Sequence, residues 1–255
     1  MEPRVSSCAA IRLLACAILA GCGGCGGTTL KDLAHKKLVA SSMLGITTVS
    51  GEEVIPFAIL LHHEGECHAV TSVSATVNGV ALRWEPGGGP VYYAEGQPIG
   101  CREPGGYLPL GAELPPSADG RHTVLLSDSS MQIEGEFGDF LIPASASLRS
   151  PTGRIAHPQD EVVVEFSPPP GVFNFEGLPQ VRAGFLLDAR ILASYGDVRL
   201  MGSSASFRLP ANVVGQGHLM AWWVFDVTTV RCQGAESCTG STAHEVDLGP
   251  FEIRN

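Results

Sequence analysis

Glycine and proline set the tightest limit on what this chain can fold into. With 31 Gly and 18 Pro they make up 49 of 255 residues, spread along the chain rather than gathered in one tract. Both residues penalise helix interiors, so few stretches remain that are long enough for an amphipathic helix. What lies between them is a series of short apolar runs, several alternating with polar residues at a period of two, which is the strand signature. The clearest case spans residues 73–84. Val73, Ala75 and Val77 alternate with polar neighbours, Asn78-Gly79 interrupts, and Val80, Leu82 and Trp84 resume the alternation. Asn-Gly accepts positive φ at both central positions, as a type I′ hairpin turn requires. The chain is therefore read as all-β.

Further strands are expected at 44–49, 57–61, 121–126 and 131–137. Phe140-Leu141-Ile142-Pro143 reads as a last strand whose proline suits an edge or an end. Residues 85–106, rich in Gly and Pro, read as a long loop. Ser150-Pro151, Thr152-Gly153 and His157-Pro158 follow in quick succession and mark a boundary within 144–158. Beyond it, strands are expected at 161–166, 181–192, 205–209, 219–231 and 245–253. In the 219–231 run, Trp222 and Trp223 fall on opposite faces among other apolar residues, which predicts burial on both sides.

The first 21 residues have the three parts of a secretory leader. Arg4 and Arg12 stand against Glu2, a short apolar core runs from Leu13 to Leu19, and Ala20-Gly21 are small. The core is too short to span a bilayer, which needs about 20 apolar residues. Leu19-Ala20-Gly21-Cys22 resembles the bacterial lipobox, and Leu13-Leu14-Ala15-Cys16 is a poorer match. The resemblance implies cleavage before Cys22, a diacylglyceryl group on its thiol and an acyl chain on the new amino terminus. It implies an address as well, a lipid-anchored protein of the cell envelope. Gly23 stands where an inner-membrane retention signal would have aspartate, which favours the outer membrane.

Loss of Arg4, Arg12 and Glu2 from 16 basic and 26 acidic side chains leaves 14 and 25, a net charge of −11. That sign repels phosphate backbones, so nucleic-acid binding through a basic face is disfavoured. The three lysines, Lys31, Lys36 and Lys37, all lie just after the Gly-rich stretch 23–27. Six cysteines remain in the mature chain. Cys22 is the expected anchor and Cys25 is left over. In an exported compartment the other four can form disulfides. Three pairings are possible, and proximity favours Cys67 with Cys101 and Cys232 with Cys238.

The strand rhythm on each side of the boundary resembles immunoglobulin-like sandwiches across most of the chain, although the Cys…Trp…Cys spacing of true immunoglobulin domains is missing. The resemblance implies two tandem β-sandwich domains, 38–145 and 146–255, after a leader (1–21) and a lipidated, Gly-rich tether (22–37). A single larger sandwich or jelly roll fits the same rhythm.

The motif that most invites a chemical reading is His62-His63-Glu64-Gly65-Glu66-Cys67-His68, whose residue types suit zinc or copper. It lacks the second histidine of H-E-x-x-H, and Gly65 after a β run opposes the helix that motif needs. His62, His63 and His68 are the metal candidates. On a strand, His62 and His63 point to opposite faces. No nucleophile elbow, P-loop or dinucleotide fingerprint occurs. Gly202-Ser203-Ser204-Ala205-Ser206 with His218 or His244 is not a triad on sequence grounds, because triads are defined by geometry. Asp128, Glu134, Glu136 and Asp139 do not match a calcium loop and read as a solvated β face. Tyr92, Tyr93 and Tyr107 are candidate contact residues. The functional expectation is a non-enzymatic envelope lipoprotein with no cofactor, acting in binding, adhesion or structure on a protein or glycan partner. The alternative is an envelope hydrolase or metal-dependent enzyme built on the His62–His68 cluster.

Overall fold

A computed structural model describes residues 28–44, 56–92, 98–109, 111–117, 119–175, 178–188 and 190–255. Apart from two short 3-10 turns, Leu30–Asp32 and Tyr195–Asp197, the regular structure among them is all β. The strands run β1 Ala34–Leu44, β2 Phe57–Glu64, β3 Ser74–Val77, β4 Val80–Ala81, β5 Arg83–Glu85, β6 Pro90–Tyr92, β7 Pro98–Cys101 and β8 Gly105–Tyr107. They continue with β9 Arg121–Ser127, β10 Gln132–Gly138, β11 Ser145–Ser150, β12 Ile155–Ala156, β13 Glu161–Ser167, β14 Val172–Phe175 and β15 Leu178–Val181. The last are β16 Ala183–Leu187, β17 Arg190–Ser194, β18 Arg199–Met201, β19 Ser204–Arg208, β20 Gly215–Val227, β21 Thr229–Gln233 and β22 Ser237–Ile253.

Three sheets build the body. A nine-stranded sheet is ordered β17-β16-β20-β22-β1-β2-β8-β5, with β12 also paired to β22. Over part of it lies the five-stranded sheet β21-β10-β9-β3-β4, and over the rest the four-stranded sheet β11-β13-β19-β18. Strand alternation explains the layering: Leu38, Ala40, Phe57, Ile59 and Leu61 point in from the large sheet, and Val124, Leu126, Ile133 and Phe137 meet them. The second core is built the same way, with Leu219, Ala221, Trp223 and Phe225 against Val162, Val164, Phe166 and Phe207. The expected all-β sandwich is the architecture observed, with two cores that share one sheet.

The sharing runs through β22. Its first half pairs in parallel with β1, from Lys37↔Ser237 to Leu44↔His244, and its far end pairs with β12. β20 lies antiparallel along it, from Val227↔Gly240 to Gly215↔Ile253. Seventeen residues at about 3.3 Å each make a strand roughly 55 Å long. Residues past the boundary expected from sequence also enter the first core: Val227 and Cys238 are buried there, and β21 pairs with β10.

Several local expectations change. Asn78 and Gly79 do take positive φ, 47° and 80°, and close the turn between β3 and β4. The second arm then leaves its sheet: after β4, buried Leu82 crosses between layers and β5 pairs with β8. The loop expected at 85–106 contains the β6–β7 hairpin and enters β8. Phe140 and Leu141 form a turn rather than a strand, with the Leu141 N–H donating to the Asp139 carboxylate at 2.7 Å. The 44–49 strand lies outside the described residues apart from Leu44. β20 is fully buried on one face only; Met220, Trp222 and Val224 on the other are half-buried. The tether ends earlier than residue 37, because Leu30 and Leu33 are buried in the first core and β1 begins at Ala34.

Two glycines make room for Phe137. A Cβ on Gly135 would lie 2.7 Å from its ring and 2.9 Å from Leu38, and one on Gly240 would lie 2.9 Å from the same ring. Gly135→Ala is expected to cost about 1–3 kcal/mol through overpacking, read as a lowered urea midpoint.

Candidate functional site

The His62–His68 cluster sits at the end of β2 and in the turn after it. Strand alternation sends His62 to the outer face, where its ring lies against the Glu103 carboxylate, and His63 to the other. The His63 and His68 rings are nearly parallel, 28° apart with centroids 6.5 Å from each other, and Nδ1 of His63 is buried without a hydrogen-bond partner. Cys67 is disulfide-bonded to Cys101, and Cys232 to Cys238. A disulfide sulfur is no thiolate ligand, so the cluster keeps two neighbouring rings and no third donor. Among the described residues no group of three or more His, Cys, Asp or Glu is placed to hold a metal ion.

The same end of the molecule holds a histidine that the sequence reading passed over. His35, at the start of β1, places Nδ1 3.3 Å from Glu236 and Nε2 4.0 Å from Glu64. It ties the ends of β1 and β2 to the turn between β21 and β22. No sequence signal marks it, because its partners lie 29 and 201 positions away. All three side chains are exposed, where such pairs contribute at most about 1 kcal/mol.

The acidic segment is structural rather than merely solvated. Burial opposes the charge on Asp128, yet its carboxyl is held below the ordinary range. It accepts hydrogen bonds from the Ser130 hydroxyl and from the backbone N–H groups of Leu30, Ser130 and Met131. This carboxylate pins the first described turn to the β9–β10 connection. Glu136 pairs with Arg121 at 2.7 Å, and Arg231 bridges Glu134 and Glu136 across β10 and β21.

A second group sits at the far end of β22. His218 Nδ1 lies 2.6 Å from the Asp247 carboxylate, and the His218 N–H donates to Asp188 at 2.8 Å. The His218 hydrogen bond, helped by the Gly249 N–H, holds the Asp247 carboxyl below its ordinary range. Arg154 donates to the carbonyls of Leu248 and Pro250, and with Gln216, His218 and Glu252 it lines a shallow, open cleft. This is a polarised histidine with no nucleophile beside it: among the described residues no serine hydroxyl bonds to His218 or His244. Ser206, the last of the serine-rich run, is buried in β19.

His244 is itself buried, stacked against Phe225 (centroids 5.6 Å) and tilted against Trp223 (5.5 Å). The aromatic trio Phe173, Tyr195 and Trp222 packs edge to face on the outer side of the large sheet, seating the β14–β15 hairpin. Tyr107 is half-buried in β8; Tyr93 and the side chain of Tyr92 lie outside the described residues, as do Cys22 and Cys25. No protein-family model matches the chain, and no curated protein matches it in sequence.

Proposed function

We propose that this chain is a non-enzymatic lipoprotein of the cell envelope, anchored through Cys22 and offering its second core to a protein or glycan partner. The observation that carries the reading is the join between anchor and body. Only five residues separate Cys22 from Thr28, a span of at most about 20 Å when extended. Leu30, two residues further on, is already fully buried. A chain lipidated at Cys22 thus has its first core close to the bilayer. β1 and the Ser237 end of β22 start together there, and β22 leads away toward the second core.

At −11 the mature body gains no net attraction from anionic headgroups, so membrane association rests on its acyl chains, each buried methylene contributing about 0.8 kcal/mol. The test is fractionation of cells making the wild type or Cys22→Ala. The wild type is expected in the membrane pellet and labelled by palmitate. The variant is expected in the soluble fraction, unlabelled, with an unchanged thermal midpoint. Equal membrane association of the two would overturn the reading.

A further inference from the structure

We propose that the joint between the two cores is an acid-sensitive element, held closed by His122 and His244 while both rings are neutral. The chain passes from β10 to β11 through residues 139–144, and Phe140 is the plug of that passage. Phe140 is fully buried, packs on Phe57 (5.4 Å) and Phe137 (5.6 Å), and its carbonyl accepts the Thr242 hydroxyl at 3.3 Å. His122 meets the Phe140 ring edge-on at 5.4 Å. Two residues beyond Thr242 on the same face of β22 stands His244. His122 thus touches the plug directly, and His244 stands on the strand that holds its carbonyl, packed against Trp223 and Phe225 of the second core.

In each ring one nitrogen is buried without a hydrogen-bond partner. His122 is completely buried; its Nε2 lies 3.1 Å from the Pro115 carbonyl, and its Nδ1 has no hydrogen-bond partner. The charged groups facing it are Asp139, 3.8 Å from Nδ1 and already accepting the Leu141 N–H, and more distantly Asp119. His244 is 8% exposed, and its Nε2 is buried and unpartnered. Among the described residues, β20 presents Trp223 and Phe225 to it, and alternation turns Asp226 and Glu245 to the other face.

Burial drives both histidines below their ordinary value, against the weaker pull of carbonyls and carboxylates at His122 and against nothing else at His244. The unfolded chain takes up those protons at the ordinary value. Stability is therefore full above the usual histidine range and falls as pH drops below it, until the folded rings themselves protonate. If neither ring protonates in the folded state, lowering pH from 7.5 to 5.0 reduces the folded-to-unfolded ratio by about thirty-fold per histidine.

The experiment is urea denaturation at pH 7.5 and 5.0, with hydrogen exchange of the 139–144 segment corrected for intrinsic rate. Wild type should lose stability at pH 5.0, and exchange in 139–144 should rise more than in β9 or β10. His122→Gln/His244→Gln should abolish most of that pH-dependent difference, whatever its stability at pH 7.5. Should the double variant fail to fold, NMR titration of the wild-type imidazoles decides: two rings that stay neutral through the ordinary range support the proposal. Two rings titrating normally, or a double variant as acid-sensitive as wild type, would overturn it.

Discussion

Trp223→Ala should remove about 3–5 kcal/mol of stability, the range for deleting a fully buried large aromatic. Trp223 is 0% exposed, lies 5.0 Å from Phe166 and 5.5 Å from His244, and donates its indole N–H to the Pro168 carbonyl at 3.0 Å. The substitution empties the centre of the second core and leaves that carbonyl without its donor. Trp222→Ala, one residue away, should cost well under half as much. Trp222 is only half-buried, on the outer face, where it packs on Tyr195 and covers the bare backbone of Gly184. Because β20 and β22 run through both cores, Trp223→Ala should lower the urea midpoint of the whole body in one transition, by fluorescence and circular dichroism alike. Two separate transitions, with the first core unmoved, would mean that the shared sheet does not couple the cores.

Cys67→Ser/Cys101→Ser should cost about 4 kcal/mol, the loop-closure value for cysteines 34 positions apart. That crosslink encloses the Asn78-Gly79 hairpin and the excursion through β6 and β7. It fastens a segment whose glycines and prolines give it few other holds. Cys232→Ser/Cys238→Ser opens a loop whose cysteines are only 6 positions apart and should cost about 2 kcal/mol. The ranking of the two variants by denaturation midpoint checks the account, because it depends on loop length and not on depth of burial. Reversal of the order would show that the β21–β22 clasp holds the first core more tightly than its loop length implies.

Legibility followed the range of the interaction. The β3–β4 turn was readable because Asn78 and Gly79 specify it alone, and β9, β10 and β13 because each is a short run with apolar residues recurring at alternate positions, bounded by turn residues. Both disulfides were readable from proximity. The crossing at Leu82 was not: a strand that changes sheets keeps its period of two, and only its pairing partners differ. Nor was the entry of β21 and the start of β22 into the first core, since pairing of Lys37 with Ser237 spans 200 positions without local signal.

The same limit governed the candidate sites. The His62–His68 run was conspicuous because its residues are adjacent, yet the fold divides them between a contact with Glu103, a pair of neighbouring rings and a disulfide. The groups that matter to the joint, His122, Phe140, Thr242 and His244, are scattered over 120 residues and meet only in three dimensions. One signal was present: Cys238, Gly240, Thr242 and His244 occupy alternate positions of one strand, so a buried Cys238 places His244 inside as well. Lys36 and Lys37 belong to β1 rather than to a tether, because burial of Leu33 and Leu38 draws the intervening residues into the body.

Intact mass spectrometry of the protein purified from membranes, with and without reduction, tests the central claim most directly. The account predicts the mass of a chain beginning at acylated Cys22, with a gain of four protons on reduction as the Cys67–Cys101 and Cys232–Cys238 bonds open. An unlipidated chain that still begins at Met1, with every thiol free before reduction, would contradict both the anchor and the oxidising compartment on which the proposed function rests.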